Sequence, residues 1–282
     1  MRPIKQFGIS IDVRSPFVVL VFSFAVLCLS VCAGAYHRRR SQQLEEGLRE
    51  DLGVVLAAAL TLLGLIIGFS FSMAINRYDQ RKAYEEAEAN ALGTEYVRAN
   101  LVSPADAARL RVLLTNYLRQ RILFYTVRDA HQLVEINDTT TQLQSDLWSA
   151  VSIPAATHSS PVLALVLSGM NDVLNSQGYA QAAWWNRIPV AAWALMEAIA
   201  IGCHVLLGYA SRRAEIRTKG LYVLPLLVSI SFFLIADLDS PRAGVIRVTP
   251  ENLVNLSSSL RVFSAFSAKN INAALAGADQ AR

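Results

Sequence analysis

Four long apolar runs, Phe17–Tyr36, Gly53–Ile75, Ile188–Ala210 and Leu221–Ala236, constrain this chain more than any other feature. About 20 apolar residues in a helix cross a bilayer core of about 30 Å. The fourth run is short, but Asp237 stands at its end, where a carboxylate reaches the interface. Hydrophobic residues make up 53% of the chain and the mean hydropathy is +0.34. Both values exceed those of an ordinary soluble domain, and the excess sits in these blocks. The expected product is an all-α, multi-pass protein of the cell (inner) membrane, with the lipid bilayer as its first partner.

The runs divide the chain. A first transmembrane hairpin covers 1–75, with spans at about 17–36 and 53–75. A helical extramembrane domain follows over 76–187. A second hairpin covers 188–238, with spans at about 188–210 and 221–236, and a tail takes 239–282. The first span also carries marks of a signal peptide: Arg2, Lys5 and Arg14 precede it, and Ala33-Gly34-Ala35 resembles a cleavage site. Against cleavage, the run is long and the sequence HRRR follows at once, so an uncleaved span is expected.

The middle region is rich in helix formers and lacks β-branched alternation. Ser103 is a candidate N-cap, with Pro104 at the first helical position and Asp106 in the first turn. Leu110, Leu113, Leu114, Leu118, Ile122 and Tyr125 then form one apolar stripe. A second helix is expected over about 131–152, a breaker loop at PAATHSSP (154–161), and an amphipathic helix after it that is too short to cross. Trp184, Trp185 and Arg187 read as interface anchors ahead of the third span.

The net charge is +4, and no basic run exceeds Arg38–Arg40. Nucleic-acid binding has no support in that pattern. Basic residues crowd the loops 37–52 and 211–220, which share one side of the membrane. Their density favours that side being cytoplasmic and the helical domain outside. Cys28, Cys32 and Cys203 lie inside apolar runs and read as small packing residues. The four His residues are scattered, and no hydrolytic, redox or phosphate-binding motif occurs. No enzyme activity, metal site or cofactor is expected.

Ionisable residues inside a membrane are the default functional candidates. Glu197 and His204 stand seven apart in the third span, on one face, as an ion- or proton-sensitive pair or as a source of interhelical hydrogen bonds. Asp237 and Asp239 end the fourth run beside Ser240-Pro241-Arg242; they suit a cation at a pore mouth or, by preference, a tie to the tail through Arg242.

Span two is the most informative segment. At 100° per residue, Thr61, Leu65, Gly68, Phe69, Ser72, Asn76 and Asp79 fall within one arc of about 100°. Ile66, Ile67, Met73 and Ala74 lie on the other side. A stripe of small and polar residues serves close helix packing or, in a ring of copies, a pore. No Pro interrupts 53–100, so one helix of about 48 residues, roughly 72 Å long, is expected. Its aqueous half carries Arg77, Arg81, Lys82, Glu85, Glu86 and Glu88, read mostly as a solvated face with Arg81–Glu85 and Lys82–Glu86 pairs. Ala83, Ala87, Ala91 and Thr94 form a narrow seam suited to packing between copies.

The stretch IGFSFSMAINRYDQRK resembles the end of the second transmembrane helix in bestrophins, with Gly68-Phe69 preceding Arg77-Tyr78 at that family's spacing. The chain looks still more like the bestrophin-like membrane proteins of bacteria. GFSFSMAINRYDQR, EANALGTEYVRA, LWSAV, MNDVLNSQG and IADLDSPRAGVIRV carry that likeness over most of 53–250. The resemblance implies a pentameric ion channel, with inorganic ions as partners, span two lining the pore and the helical domain in the cytoplasm. It maps a narrow neck onto Thr61, Leu65 and Phe69. Thr61 is polar where bestrophins usually have an apolar residue, Tyr78-Asp79-Gln80 replaces a Trp pair, and no acidic cluster resembles the eukaryotic calcium clasp. The competing expectation is a non-conducting membrane scaffold or sensor whose helical domain binds a partner, with the stripe used for packing.

Overall fold

The computed structural model describes residues 15–40, 46–157, 160–211 and 219–262. The basic residues Arg2, Lys5, Arg14, Arg212, Arg213 and Arg217, together with His158 and the tail beyond 262, lie outside the described residues. The described chain is helical and has no strand. In order come α1 (Pro16–Arg40), α2 (Glu46–Arg98), α3 (Pro104–Thr126), α4 (Ala130–Thr157), α5 (Pro161–Trp185), α6 (Val190–Ala210) and α7 (Val223–Asp239). A further helical stretch over 251–262 is called α8 here.

Among the described residues three stretches are long and apolar enough to cross a membrane, Pro16–Arg38, Asp51–Leu101 and Pro161–Ala210, each containing an 18-residue apolar segment whose mean hydropathy is 2.6, 2.6 and 1.9 respectively. The last of these takes in both α5 and α6. The fourth run forms α7, which has 17 residues.

α2 is longer than expected, with 53 residues before a single 3-10 turn at Ala99–Leu101. It extends back to Glu46 through Gly53 and Gly47; a glycine costs only about 1 kcal/mol in a helix interior, and no proline intervenes. α3 starts as its sequence dictates: the Ser103 hydroxyl accepts the Asp106 N–H at 3.2 Å, with Pro104 at the first helical position. α4 runs through Pro154 to Thr157, so the first part of the expected breaker loop is helical. Proline's fixed φ suits a helix, but it has no N–H to give the Ala150 carbonyl one turn back, and α4 ends three residues later.

The chain divides into two compact units. Unit 1 comprises residues up to Tyr78 and Asn186–Arg247; unit 2 comprises Asp79–Trp185 and the residues from Val248 on. These boundaries fall near, but not at, the expected 75/76 and 187/188 joins, and residues past 238 are shared between the units.

The core of unit 1 gathers Leu27 of α1, Leu63 and Ala74 of α2, Met196, Ala200 and Cys203 of α6, and Phe232 and Ile235 of α7. α1 and α6 meet at two glycines. A Cβ on Gly34 would overlap the Val205 carbonyl oxygen and lie 2.9 Å from the Tyr209 nitrogen. A Cβ on Gly208 would overlap the Val31 carbonyl oxygen and lie 3.1 Å from the Ala35 nitrogen. The helices therefore touch backbone to backbone, as small residues allow inside a membrane. The Ala33–Ala35 triplet is a helix-packing element within α1.

Unit 2 packs α3 against α4 and α4 against α5. Leu110, Leu114, Leu118 and Tyr125 are buried as the stripe predicts, joined by Tyr117, Arg121 and Phe124. Trp184 is also buried here, its ring 5.2 Å from Phe124 and 5.3 Å from Tyr125. That corrects its reading as an interface anchor: α5 continues through Gly178 to Trp185 and delivers Trp184 to the domain core. Trp185, next in sequence, is 73% exposed.

Candidate pore-lining face and buried charges

The membrane part of α2 has two unlike sides. Leu63 and Ala74 belong to the core of unit 1, with Ile66 and Ile67 packed against it. Thr61, Gly68, Ser72 and Asn76 are exposed, as are Leu65 at 54% and Phe69 at 65%. A Cβ added at Gly64 or Gly68 would meet no packed neighbour within 4 Å. Two large apolar residues on an otherwise small or polar strip are thus left uncovered by the chain's own helices. The Thr61 hydroxyl is turned onto its own helix, donating to the Ala57 carbonyl at 2.9 Å.

At the end of α7, two carboxylates do structural work. Asp237 is 1% exposed and accepts the backbone N–H groups of Val245 at 2.7 Å and Ile246 at 2.8 Å. Gly244 permits this turn, because a Cβ there would sit 2.6 Å from Asp237 Oδ1. Asp239 accepts the Ile188 N–H at 3.1 Å on both oxygens and faces Arg77 Nη1 at 3.4 Å. The tail is therefore tied down through backbone amides at Asp237, while Asp239 fixes the approach to α6. Among the described residues no group of three or more His, Cys, Asp or Glu side chains suits a metal ion.

The structure does not pair Glu197 with His204. His204 is fully buried with Nδ1 2.6 Å from the Ala200 carbonyl of its own helix. Glu197 is half-buried, and its Oε1 is shut away from solvent without a protein partner. Cys203 is buried, Cys28 half-buried and Cys32 exposed, all as free thiols.

The largest departure from expectation is in the aqueous half of α2. Arg81, Glu85, Glu88 and Glu95 are 1%, 1%, 0% and 0% exposed, so they form the inner face of the helix. Arg81 and Glu85, expected to pair with each other on a solvated face, both make tertiary bonds. Arg81 Nε donates to the Ala183 carbonyl at 3.0 Å. Glu85 accepts the Leu253 N–H at 2.9 Å and the Asn252 amide at 2.7 Å, which holds the start of α8. Glu88 pairs through both oxygens with Arg121 and accepts the Tyr125 hydroxyl at 3.2 Å. Burial alone would lower the Arg121 pKa, but the charge and hydrogen bonds of Glu88 outweigh it and the net movement is upward. Burial and Glu88 push the Tyr117 and Tyr125 hydroxyls up, so both stay protonated.

Glu95 stands apart, because neither of its oxygens has a hydrogen-bond partner. Arg98 Nη1 lies 3.9 Å away. Gly169 makes the room, since a Cβ there would overlap Glu95 Oε2. Burial raises the Glu95 pKa to about 8, with Arg98 opposing and Asp172 adding to the rise. The signal for this inner charged face was present as spacing: 81, 85, 88, 92 and 95 repeat at three and four residues, but Leu92 alone among them is apolar. In contrast, Ala83, Ala87 and Thr94 of the small-residue seam are exposed and Ala91 is half-buried.

These features define an all-helical membrane protein with a long helix shared by an apolar and a polar unit. The sequence matches the model of the bestrophin-like domain over residues 22–253, and the chain belongs to that family. Its fold is similar to that of a bacterial bestrophin homologue from Klebsiella pneumoniae phased by zinc anomalous scattering. There the TM-score is 0.55 at 13% identity, covering 86% of this chain and 98% of that one. Two point-mutant forms of a Klebsiella pneumoniae bestrophin homologue give TM-scores of 0.55 and 0.54 at 14% and 13% identity, with the same coverage. Identity at this level establishes the fold. A comparison with curated protein sequences finds no significant match.

Proposed function

We propose that this protein is a homo-oligomeric, pentameric ion channel of the cell (inner) membrane, with four spans and with the α2 helices lining a central pore. One observation carries the reading: the Thr61–Leu65–Gly68–Phe69–Ser72–Asn76 face of α2 is uncovered, while the opposite face packs into the core. A ring of copies would cover Leu65 and Phe69 and surround the axis with them. In that ring Leu65 and Phe69 form a hydrophobic constriction that gates by dewetting, with Thr61 at one end and Ser72 and Asn76 at the other. Inorganic ions are the substrate. The family membership and the fold likeness support the same reading.

The test uses purified full-length protein. Its oligomeric mass is measured in detergent, then ion flux is recorded in liposomes for wild type and Phe69→Ala. Pentamers with flux that rises in Phe69→Ala are expected. A monomer, or no flux from either protein, would remove the channel reading.

A further inference from the structure

In unit 2, α2, α3 and α8 line a cavity of about 470 Å³ that is open to solvent on one side. Its size falls within the range of small-molecule sites, about 300–1,000 Å³. Arg111, Arg119 and Arg261 line it, and among the described residues no carboxylate does. Between the arginines, Ile122, Leu123 and Leu260 supply an apolar wall, and Thr115 and Ser257 add hydroxyls. Arg111 and Arg119, on one helix, thus bring two positive charges to a space with no carboxylate among its described lining, which favours an anion there.

Arg111 is set for such a ligand. Its Nη2 donates to the Asn100 side-chain oxygen, and its guanidinium carbon lies 5.6 Å from the centre of the Tyr96 ring. Those contacts fix the group in place. Its Nε is nevertheless buried with no hydrogen-bond partner. A buried donor left unused is costly, and an incoming carboxylate or phosphate oxygen would satisfy it with a charge-assisted bond. Arg119 is exposed at the mouth of the same cavity and is the natural second contact.

We propose that this cavity binds an organic anion, a carboxylate or phosphate group on an apolar body, with the charge held by Arg111 and Arg119 and the body against Ile122, Leu123 and Leu260. The site is independent of the pore reading. Its occupant would join α3 to α8, whose first turn is already held by Glu85.

Isothermal titration calorimetry on the purified full-length protein tests this with four probes: 4-phenylbutanoate, phenyl phosphate, inorganic phosphate and the neutral 4-phenylbutanol. Saturable binding of 4-phenylbutanoate or phenyl phosphate is expected, tighter than that of inorganic phosphate, with none for the alcohol. Whichever of the first two binds more tightly identifies the headgroup. Arg119→Gln, at an exposed position, should keep the wild-type melting temperature and weaken binding about ten-fold; Arg111→Gln should weaken it further. Absence of saturable binding by both organic anions would overturn the proposal. So would equal binding of the alcohol, or unchanged affinity in Arg119→Gln.

Discussion

Arg121 of α3 and Glu88 of α2 meet as a fully buried ion pair, both side chains 0% exposed, with the Tyr125 hydroxyl completing the carboxylate's bonds. Two ions taken from water cost several kcal/mol each, and only close, well-bonded geometry offsets that cost. Removing one partner strands the other. Glu88→Gln or Arg121→Met should therefore destabilise the protein by about 3–5 kcal/mol, whereas Glu88→Leu/Arg121→Met should lose far less. Thermal unfolding of the four proteins, followed by circular dichroism in one detergent, gives the comparison. Equal loss in the double and single variants would show that the pair is replaceable only by its own geometry.

The α1–α6 contact makes a second prediction. Gly208→Ala drives a methyl into the Val31 carbonyl, and Gly34→Ala does the same at Val205. Each should cost about 1–3 kcal/mol, the usual penalty of overpacking. Gly64→Ala is the matched control, because open space surrounds that position. It should leave stability unchanged or raise it slightly, since alanine favours the helix by about 1 kcal/mol. Melting temperatures of the three variants in detergent measure the contrast.

Asp237 closes the turn after α7 by accepting two backbone N–H groups. Asp237→Ala removes two hydrogen bonds to a charged acceptor, worth about 1.5–3 kcal/mol each, although Val245 and Ile246 are themselves exposed and water can replace the lost acceptor. The loss should appear locally first. Amide hydrogen exchange at Val245 and Ile246 is expected to quicken strongly in Asp237→Ala, with exchange in α3 unchanged. Uniform acceleration over both regions would mean that the turn is not an independent opening unit.

Much of this arrangement is legible in the sequence because it depends on local rules. The Ser103-Pro104-Asp106 start of α3 follows from chain-local hydrogen bonding, and the two-sidedness of α2 in its apolar half follows from helical periodicity. The inner face of the aqueous half is different. Glu88 reads as solvated unless Arg121, 33 positions later, is known to reach it. Trp184 beside Trp185 resembles a membrane-interface pair until helix α5 is seen to continue and turn one ring toward Phe124. Asp237 and Asp239 read as a tie-down, but their backbone partners carry no side-chain signature. Long-range partners of charged residues are the information that periodicity lacks.

Glu95 gives a pH dependence with a definite sign. Its folded-state pKa is raised to about 8, against an ordinary glutamate value near 4.3 in the unfolded chain. Between those two values the folded chain holds a proton that the unfolded chain has released. Stability therefore falls as pH rises through that window, by at most about 1.4 kcal/mol per pH unit, and levels off above the folded value. Glu95→Gln keeps the size of the side chain and removes the titration. Wild type should lose melting temperature steadily between pH 6 and pH 8, while Glu95→Gln should run flatter and be the more stable protein at the alkaline end. Parallel curves for the two proteins would mean that Glu95 is already ionised at neutral pH and compensated by Arg98.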